Sequence, residues 1–223
     1  EKNNRGCVMD LWHNLIIRRK MKKKKKILLI LSMTIISISV ANAQITDLDK
    51  KNFKRRVRER VALMNDYISY MVDKKKGINT RKYYKTKALP LFIQKGEAYE
   101  EDGVKKDGVI METTSTRRHT TNKLLIKDYF ENLINLRYSN VKVTSTQIAD
   151  MKVSALKRVE DDLYVCTCQY VQYFYGYNAD GMLLYGDKTT KRIKCYVKVE
   201  QVEDGIEYMI MLGDVKAMST ERL

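Results

Sequence analysis

Apolar residues recur at spacings of three and four from Phe53 through Val57, Val61, Met64, Ile68 and Met71. This single stripe predicts an amphipathic helix over residues 49–72. Lys54, Arg55, Arg56, Arg58, Glu59 and Arg60 fill its other faces. Lys74, Lys75 and Lys76 followed by Gly77 mark its end, because cations and glycine suit a helix C-terminus. A second helix, capped by Thr80, carries Tyr83, Tyr84, Ala88, Leu91 and Phe92 and is interrupted at Pro90. Residues 96–108 are polar and contain two turn signals, Asp102-Gly103 and Asp107-Gly108. A short strand follows over 109–114, then a basic loop over 116–121. A third helix is expected over 122–138, with Thr121 as its cap and Leu125, Tyr129, Leu133 and Leu136 as its stripe.

After Tyr138 the period changes to two. Strands are predicted over 141–148, 151–159, 163–177, 182–199 and 206–218. The clearest alternation sets Ile193, Cys195, Val197 and Val199 inward against Arg192, Lys194, Tyr196 and Lys198 outward. The runs are separated by Glu160-Asp161-Asp162, Asn178-Ala179-Asp180-Gly181 and Glu203-Asp204-Gly205, where Asp-Gly supplies the positive φ of tight hairpins. Helices early and strands late give an α+β domain, with N-terminal helices packed on a curved antiparallel sheet.

The N-terminal region changes where this domain is expected to work. Met21 is followed by five lysines, a 14-residue apolar run over 27–40 and the small-x-small triplet Ala41-Asn42-Ala43. These are the parts of a secretory signal. The run is shorter than the ~20 residues that cross a bilayer, so no transmembrane helix is expected after cleavage. Residues 21–43 are therefore read as a signal peptide, residues 1–20 as an upstream extension, and 44–223 as one domain beginning at Gln44. No lipid-anchor cysteine follows the small residues, and the expected location is periplasmic or secreted. Half of the formal +16 charge belongs to residues 1–43. The remaining basic excess suits an envelope glycan or another anionic surface, although a solvated lysine-rich face reads the same way. Export argues against nucleic acid as partner.

Chemistry-bearing motifs are few. Cys166, Cys168 and Cys195 are an odd set that reads as small apolar core residues, although either Cys166 or Cys168 could meet Cys195 on a neighbouring strand. The sequence suggests neither a metal centre nor a cofactor. His119, in the basic loop, is the single histidine of residues 44–223, so any His-dependent triad would need it. Aromatics crowd one hairpin: Tyr164, Tyr170, Tyr173, Phe174, Tyr175, Tyr177 and Tyr185. Tyr173 and Tyr175 share one face, Tyr170 and Phe174 the other. One face would line the core; the other would form a dimer surface or a sugar-stacking platform, with Tyr173, Tyr175 and Tyr185 as the candidate binding residues. Strand propensity and core packing alone also explain such a run.

Two helices, a short strand, a third helix and a long antiparallel meander resemble the cystatin-like cone of the nuclear transport factor 2 superfamily, over residues 49–218. The lysine-rich leader and the segment 177–191, with Tyr185-Gly186-Asp187-Lys188-Thr189, are similar to small exported proteins of gut Bacteroidetes. The superfamily resemblance implies a sheet folded around the helices with a pocket at its wide end. It carries no catalytic residue over to this chain. The expected function is a non-catalytic binding or interaction module of the cell envelope, homodimeric through its sheet. The alternative is a small-molecule enzyme using the cone pocket. An ionisable group inside that pocket favours the enzyme; a pocket filled by Leu, Ile and Met excludes it.

Overall fold

The stripe from Phe53 to Met71 folds as helix α1, Asp47–Val72, and its six apolar side chains are each at most 1% exposed. The computed structural model describes residues 47–116, 120–202 and 205–223. The expected upstream extension, the signal segment, Gln44, the loop residues Arg117, Arg118 and His119, and the turn residues Glu203 and Asp204 lie outside them. Among the described residues, no helix is long and apolar enough to cross a membrane.

Helix α2 (Ile78–Ala88) starts after Gly77, so Thr80 sits within its first turn rather than capping it. Pro90 falls in a single 3-10 turn, Leu89–Leu91, which ends the helical path. The third helix is shorter than its apolar spacing predicts. Residues Thr120–Leu125 form a strand, β4, antiparallel to β3 (Ile110–Ser115). Thr121 is a ladder residue facing Thr114, with their hydroxyls 3.4 Å apart. The β-branched Thr120 and Thr121 suit a strand, and pairing with β3 overrides the helical spacing of Leu125. Helix α3 (Ile126–Ile134) begins where the Ile126 amide donates to the Val109 carbonyl at 2.8 Å. Its buried stripe is Ile126, Tyr129, Phe130, Leu133 and Ile134, and Leu136 lies beyond its end.

The predicted period-two segments form β5 (Asn140–Ser145), short β6 (Lys152–Val153) and β7 (Lys157–Arg158), and three long strands. These are β8 (Leu163–Tyr177), β9 (Leu183–Val202) and β10 (Gly205–Arg222). They run antiparallel in the order β10-β9-β8-β5, while β6 and β7 also pair with β8. On the far side β3 joins β10 in parallel, through Met111 and Val215, and β4 flanks β3. Helix α1 touches both β5 and β10, which lie at opposite sides of the meander. The sheet therefore curves around α1, and the fold is α+β with helices on a curved antiparallel sheet, as the element order predicts. Cys166, Cys168 and Cys195 belong to the core, and Cys166 faces Cys195 across the β8–β9 ladder.

The outer face of the sheet carries a two-stranded flap, β1 (Tyr99–Glu101) and β2 (Val104–Lys106). Asp102 and Gly103, at φ 51° and 74°, make the tight turn that joins them, a conformation suited to Asp-Gly. Glu101 pins the flap down. It accepts from the ammonium groups of Lys106 and Lys194, both at 2.5 Å, and from the Tyr196 hydroxyl. Gly213 makes room for this arrangement, because a Cβ there would lie 2.7 Å from the Tyr196 ring. Burial alone would raise the Glu101 pKa, yet these three donors together hold it at about 2.

A carboxylate depressed in the folded state stabilises it above the unfolded pKa and loses that contribution as pH falls through the folded value. Glu101→Ala is expected to cost about 2 kcal/mol, typical of charge-assisted hydrogen bonds. The difference from wild type should shrink between pH 4.5 and about 2, as read from urea denaturation at stepped pH.

Candidate functional site

Strand β9 presents one continuous inward row: Tyr185, Asp187, Thr189, Lys191, Ile193, Cys195, Val197 and Val199. The last four are apolar and pack in the core or against it. The first four are polar and line a cavity of about 380 Å³. Their inward partners on β8 change in step, from Cys166, Cys168 and Tyr170 to Gln172, Phe174 and Gly176. The remaining walls are Tyr129, Leu133 and Leu136 of α3 and its exit, Leu124 of β4, and Thr113 to Ser115 of β3. Gly176 is required here, since a Cβ would approach the Tyr138 ring to 2.6 Å. Tyr138 is itself a wall of the cavity.

The polar groups divide into a satisfied set and an unsatisfied set. Gln172 Nε2 donates to Asn65 Oδ1 at 3.0 Å, and Asn65 Nδ2 donates to the Val61 carbonyl at 3.0 Å. This buried relay ties the cavity floor to α1. Thr189 Oγ1 donates to Asp187 Oδ1 at 3.3 Å, and the Tyr185 hydroxyl lies 3.3 Å from Thr116 Oγ1.

Lys191 is different. It is 4% exposed, and among the described residues its ammonium forms no ion pair. It meets the Met111 thioether at 3.7 Å and lies 5.4 Å from the centre of the Tyr129 ring. A thioether is a weak acceptor. Across the ladder stands Tyr170, whose buried hydroxyl has no hydrogen-bond partner among the described residues.

Charge is costly in this setting. Burial lowers the Lys191 pKa to about 8, against a smaller upward pull from Asp187. Burial raises the Asp187 pKa, opposed by the hydroxyls of Tyr185 and Thr189 and by Lys191. Tyr129 is raised by burial and by the Asp187 charge. The cavity thus holds an amine made easier to deprotonate and a carboxyl made easier to protonate.

Of the residues singled out by the aromatic hairpin, only Tyr185 reaches this cavity. Its ring lies 6.0 Å from Phe174. Tyr173 and Tyr175 occupy alternate positions on β8 to the buried Gln172 and Gly176 and face the outer side of the sheet. There Tyr175 and Tyr177 stack at 6.5 Å. His119 lies outside the described residues. Asp187, Thr189 and Lys191 escaped the sequence reading, although their signal was present. Extending the inward parity of Ile193 back by two, four and six positions reaches all three.

Among the described residues, no cluster of three or more His, Cys, Asp or Glu side chains could hold a metal ion. No family model and no curated protein matches the chain. Three solved structures overlap with it. A type 2 hexachlorocyclohexane dehydrochlorinase (LinA) is 10% identical over 76% of this chain and 91% of its own, with a TM-score of 0.32. The type 3 enzyme from Novosphingobium barchaimii is 11% identical over 76% and 92%, with a TM-score of 0.31. A scytalone dehydratase-like protein from Novosphingobium aromaticivorans is 11% identical over 76% and 90%, also at 0.31. Overlaps this loose say nothing about chemistry.

The Lys191 environment has a measurable sign. Below about pH 8 the lysine is charged in both the folded and unfolded states, so folding bears the full burial cost. Between about 8 and 10.5 the folded state has released the proton that the unfolded state keeps, and stability rises with pH. Lys191→Met should therefore be more stable than wild type at neutral pH, by on the order of 1–3 kcal/mol. That advantage should fade as pH climbs through the window. Guanidinium denaturation of both proteins at stepped pH measures it.

Proposed function

We propose that residues 44–223 form an exported small-molecule enzyme of the nuclear transport factor 2 cone type, with Lys191 as the base of a proton-transfer reaction. The observation that supports this reading is Lys191 itself, a buried amine that forms no ion pair among the described residues, on the wall of an open cavity. A purely structural core would place an apolar side chain there, at lower cost. With its pKa near 8, roughly a tenth of Lys191 is neutral at about pH 7, against a negligible fraction for a free lysine. A base works best when its pKa lies near the working pH.

The apolar walls suit a small, mostly apolar substrate with one polar end. The neutral amine would take a proton from a carbon made acidic by that polar group, leaving the lysine protonated. Tyr129 and Tyr185 are the groups available to donate to the developing negative charge. A non-catalytic interaction module remains the second reading. It is favoured by the outward tyrosines Tyr173, Tyr175 and Tyr177, which would form a homodimer surface or a glycan platform on the opposite face.

Nitrobenzisoxazole ring opening is a suitable test, because it needs only a base in an apolar pocket and releases a coloured phenolate. The expected rate rises with pH to a plateau with its midpoint near 8 and disappears in Lys191→Met. Leu133→Trp, which fills the cavity from α3, should abolish it as well. A rate no higher than that of free lysine at equal concentration, or one untouched by both substitutions, would refute the proposal. The second reading is checked by sedimentation: Tyr173→Ser/Tyr175→Ser should turn a dimer into a monomer.

A further inference from the structure

A second recess lies on the other side of the sheet, away from the Lys191 cavity. It has a volume of about 490 Å³, with the β1–β2 flap as one wall, the segment from Ser154 to Lys157 as another, and strands β8, β9 and β10 as its floor. Five basic side chains line it, Lys106, Lys157, Arg192, Lys194 and Lys216, against two carboxylates, Glu101 and Asp214.

Both carboxylates are already engaged. Glu101 accepts from Lys106, Lys194 and Tyr196. Asp214 accepts from Lys106 at 3.2 Å and from the Ile110 amide at 2.9 Å. Lys157, Arg192 and Lys216 form no ion pair among the described residues, and the Glu112 carboxylate of β3, next to Lys216 in the ladder, accepts from the Ala217 amide at 3.2 Å.

The register makes this excess specific. Arg192 of β9 and Lys216 of β10 are direct partners in the antiparallel ladder, and both point outward because Ile193 and Val215 point in. Like charges placed directly opposite one another destabilise a ladder. Lys157 of β7 also lines the recess, but it faces Val165 and so stands four ladder positions along from Arg192. An anion seated between Arg192 and Lys216 turns this repulsion into attraction. The guanidinium of Arg192 offers paired donors suited to a tetrahedral oxyanion.

We propose that this recess binds a phosphate or sulfate ester, held between Arg192 and Lys216. The flap and the segment from Ser154 to Lys157 rise beside the cations, so a single ester group can enter where a flat bilayer surface cannot seat. The site is independent of the chemistry assigned to Lys191 and stands or falls separately.

Titration calorimetry with inorganic pyrophosphate and with a sulfated dextran oligosaccharide tests it, using the full domain at low and moderate salt. Wild type should bind both, and Arg192→Gln/Lys216→Gln should weaken binding by roughly tenfold or more, as loss of charge-assisted hydrogen bonds implies. A control with the same charge change elsewhere, Lys82→Gln/Lys142→Gln, should retain binding. Without added anion, the Arg192→Gln/Lys216→Gln protein should melt no lower than wild type, because a repulsion has been removed. With pyrophosphate, the melting point should rise in wild type alone. Equal losses in the test and control variants would mean diffuse charge attraction and would overturn the proposal. So would tighter binding to anionic vesicles than to the oligosaccharide, or no binding by wild type.

Discussion

Helix α1 has one apolar stripe, and the sheet has to curl to enclose it. A flat sheet would contact the helix along a single line and leave much of the stripe wet. By reaching β5 on one side and β10 on the other, α1 is enclosed over the length of its stripe. This burial contributes to the hydrophobic stabilisation of the domain, and it sets the curvature of the sheet around the helix. Once the curvature is set, the cavity follows. Near Asn65 the inward faces of α1, β8 and β9 each carry a polar residue, and the relay through Gln172 replaces apolar packing.

One strand carries three environments as a result. Inward and near its middle, β9 supplies core side chains. Inward and nearer its start, it supplies the cavity. Outward, it supplies the Glu101 anchor and the basic recess. A period of two separates inside from outside, while position along the strand separates core from cavity. The strand can combine these because the irregularity between Leu212 and Val215 lets β10 carry Asp214 beside the flap while Val215 still points inward.

The fold was legible because its signals are long. The stripe of α1 repeats over five turns, and the alternation of β8 to β10 runs for many residues, so neither could be confused with another period. The third helix was misplaced because Leu125, Tyr129 and Leu133 satisfy helical spacing, whereas the pairing that captures Thr120–Leu125 comes from a strand distant in sequence. The cavity was hard to see for a related reason. The sequence singled out aromatics, but in a strand only parity tells which side a residue faces, and Tyr173, Tyr175 and Tyr185 fall on different sides. Lys191 resembled one more surface lysine in a basic chain. Its meaning depends on burial, which the register supplies and composition does not.

The parallel contact between β3 and β10 has a consequence for the order of assembly. The Ile110 amide and the Asp214 carboxylate that join these strands are 104 residues apart. Strands β3 and β4 form one wall of the cavity, yet they attach to the sheet only through the last strand of the chain. Closing so long a loop is entropically expensive and comes late in folding. Helix α1 and the β8–β9 hairpin can associate earlier, as a partly open scaffold. The cavity acquires its final wall only when the C-terminal strand is in place, so a ligand enclosed by all of its walls has to enter a domain that has already finished folding.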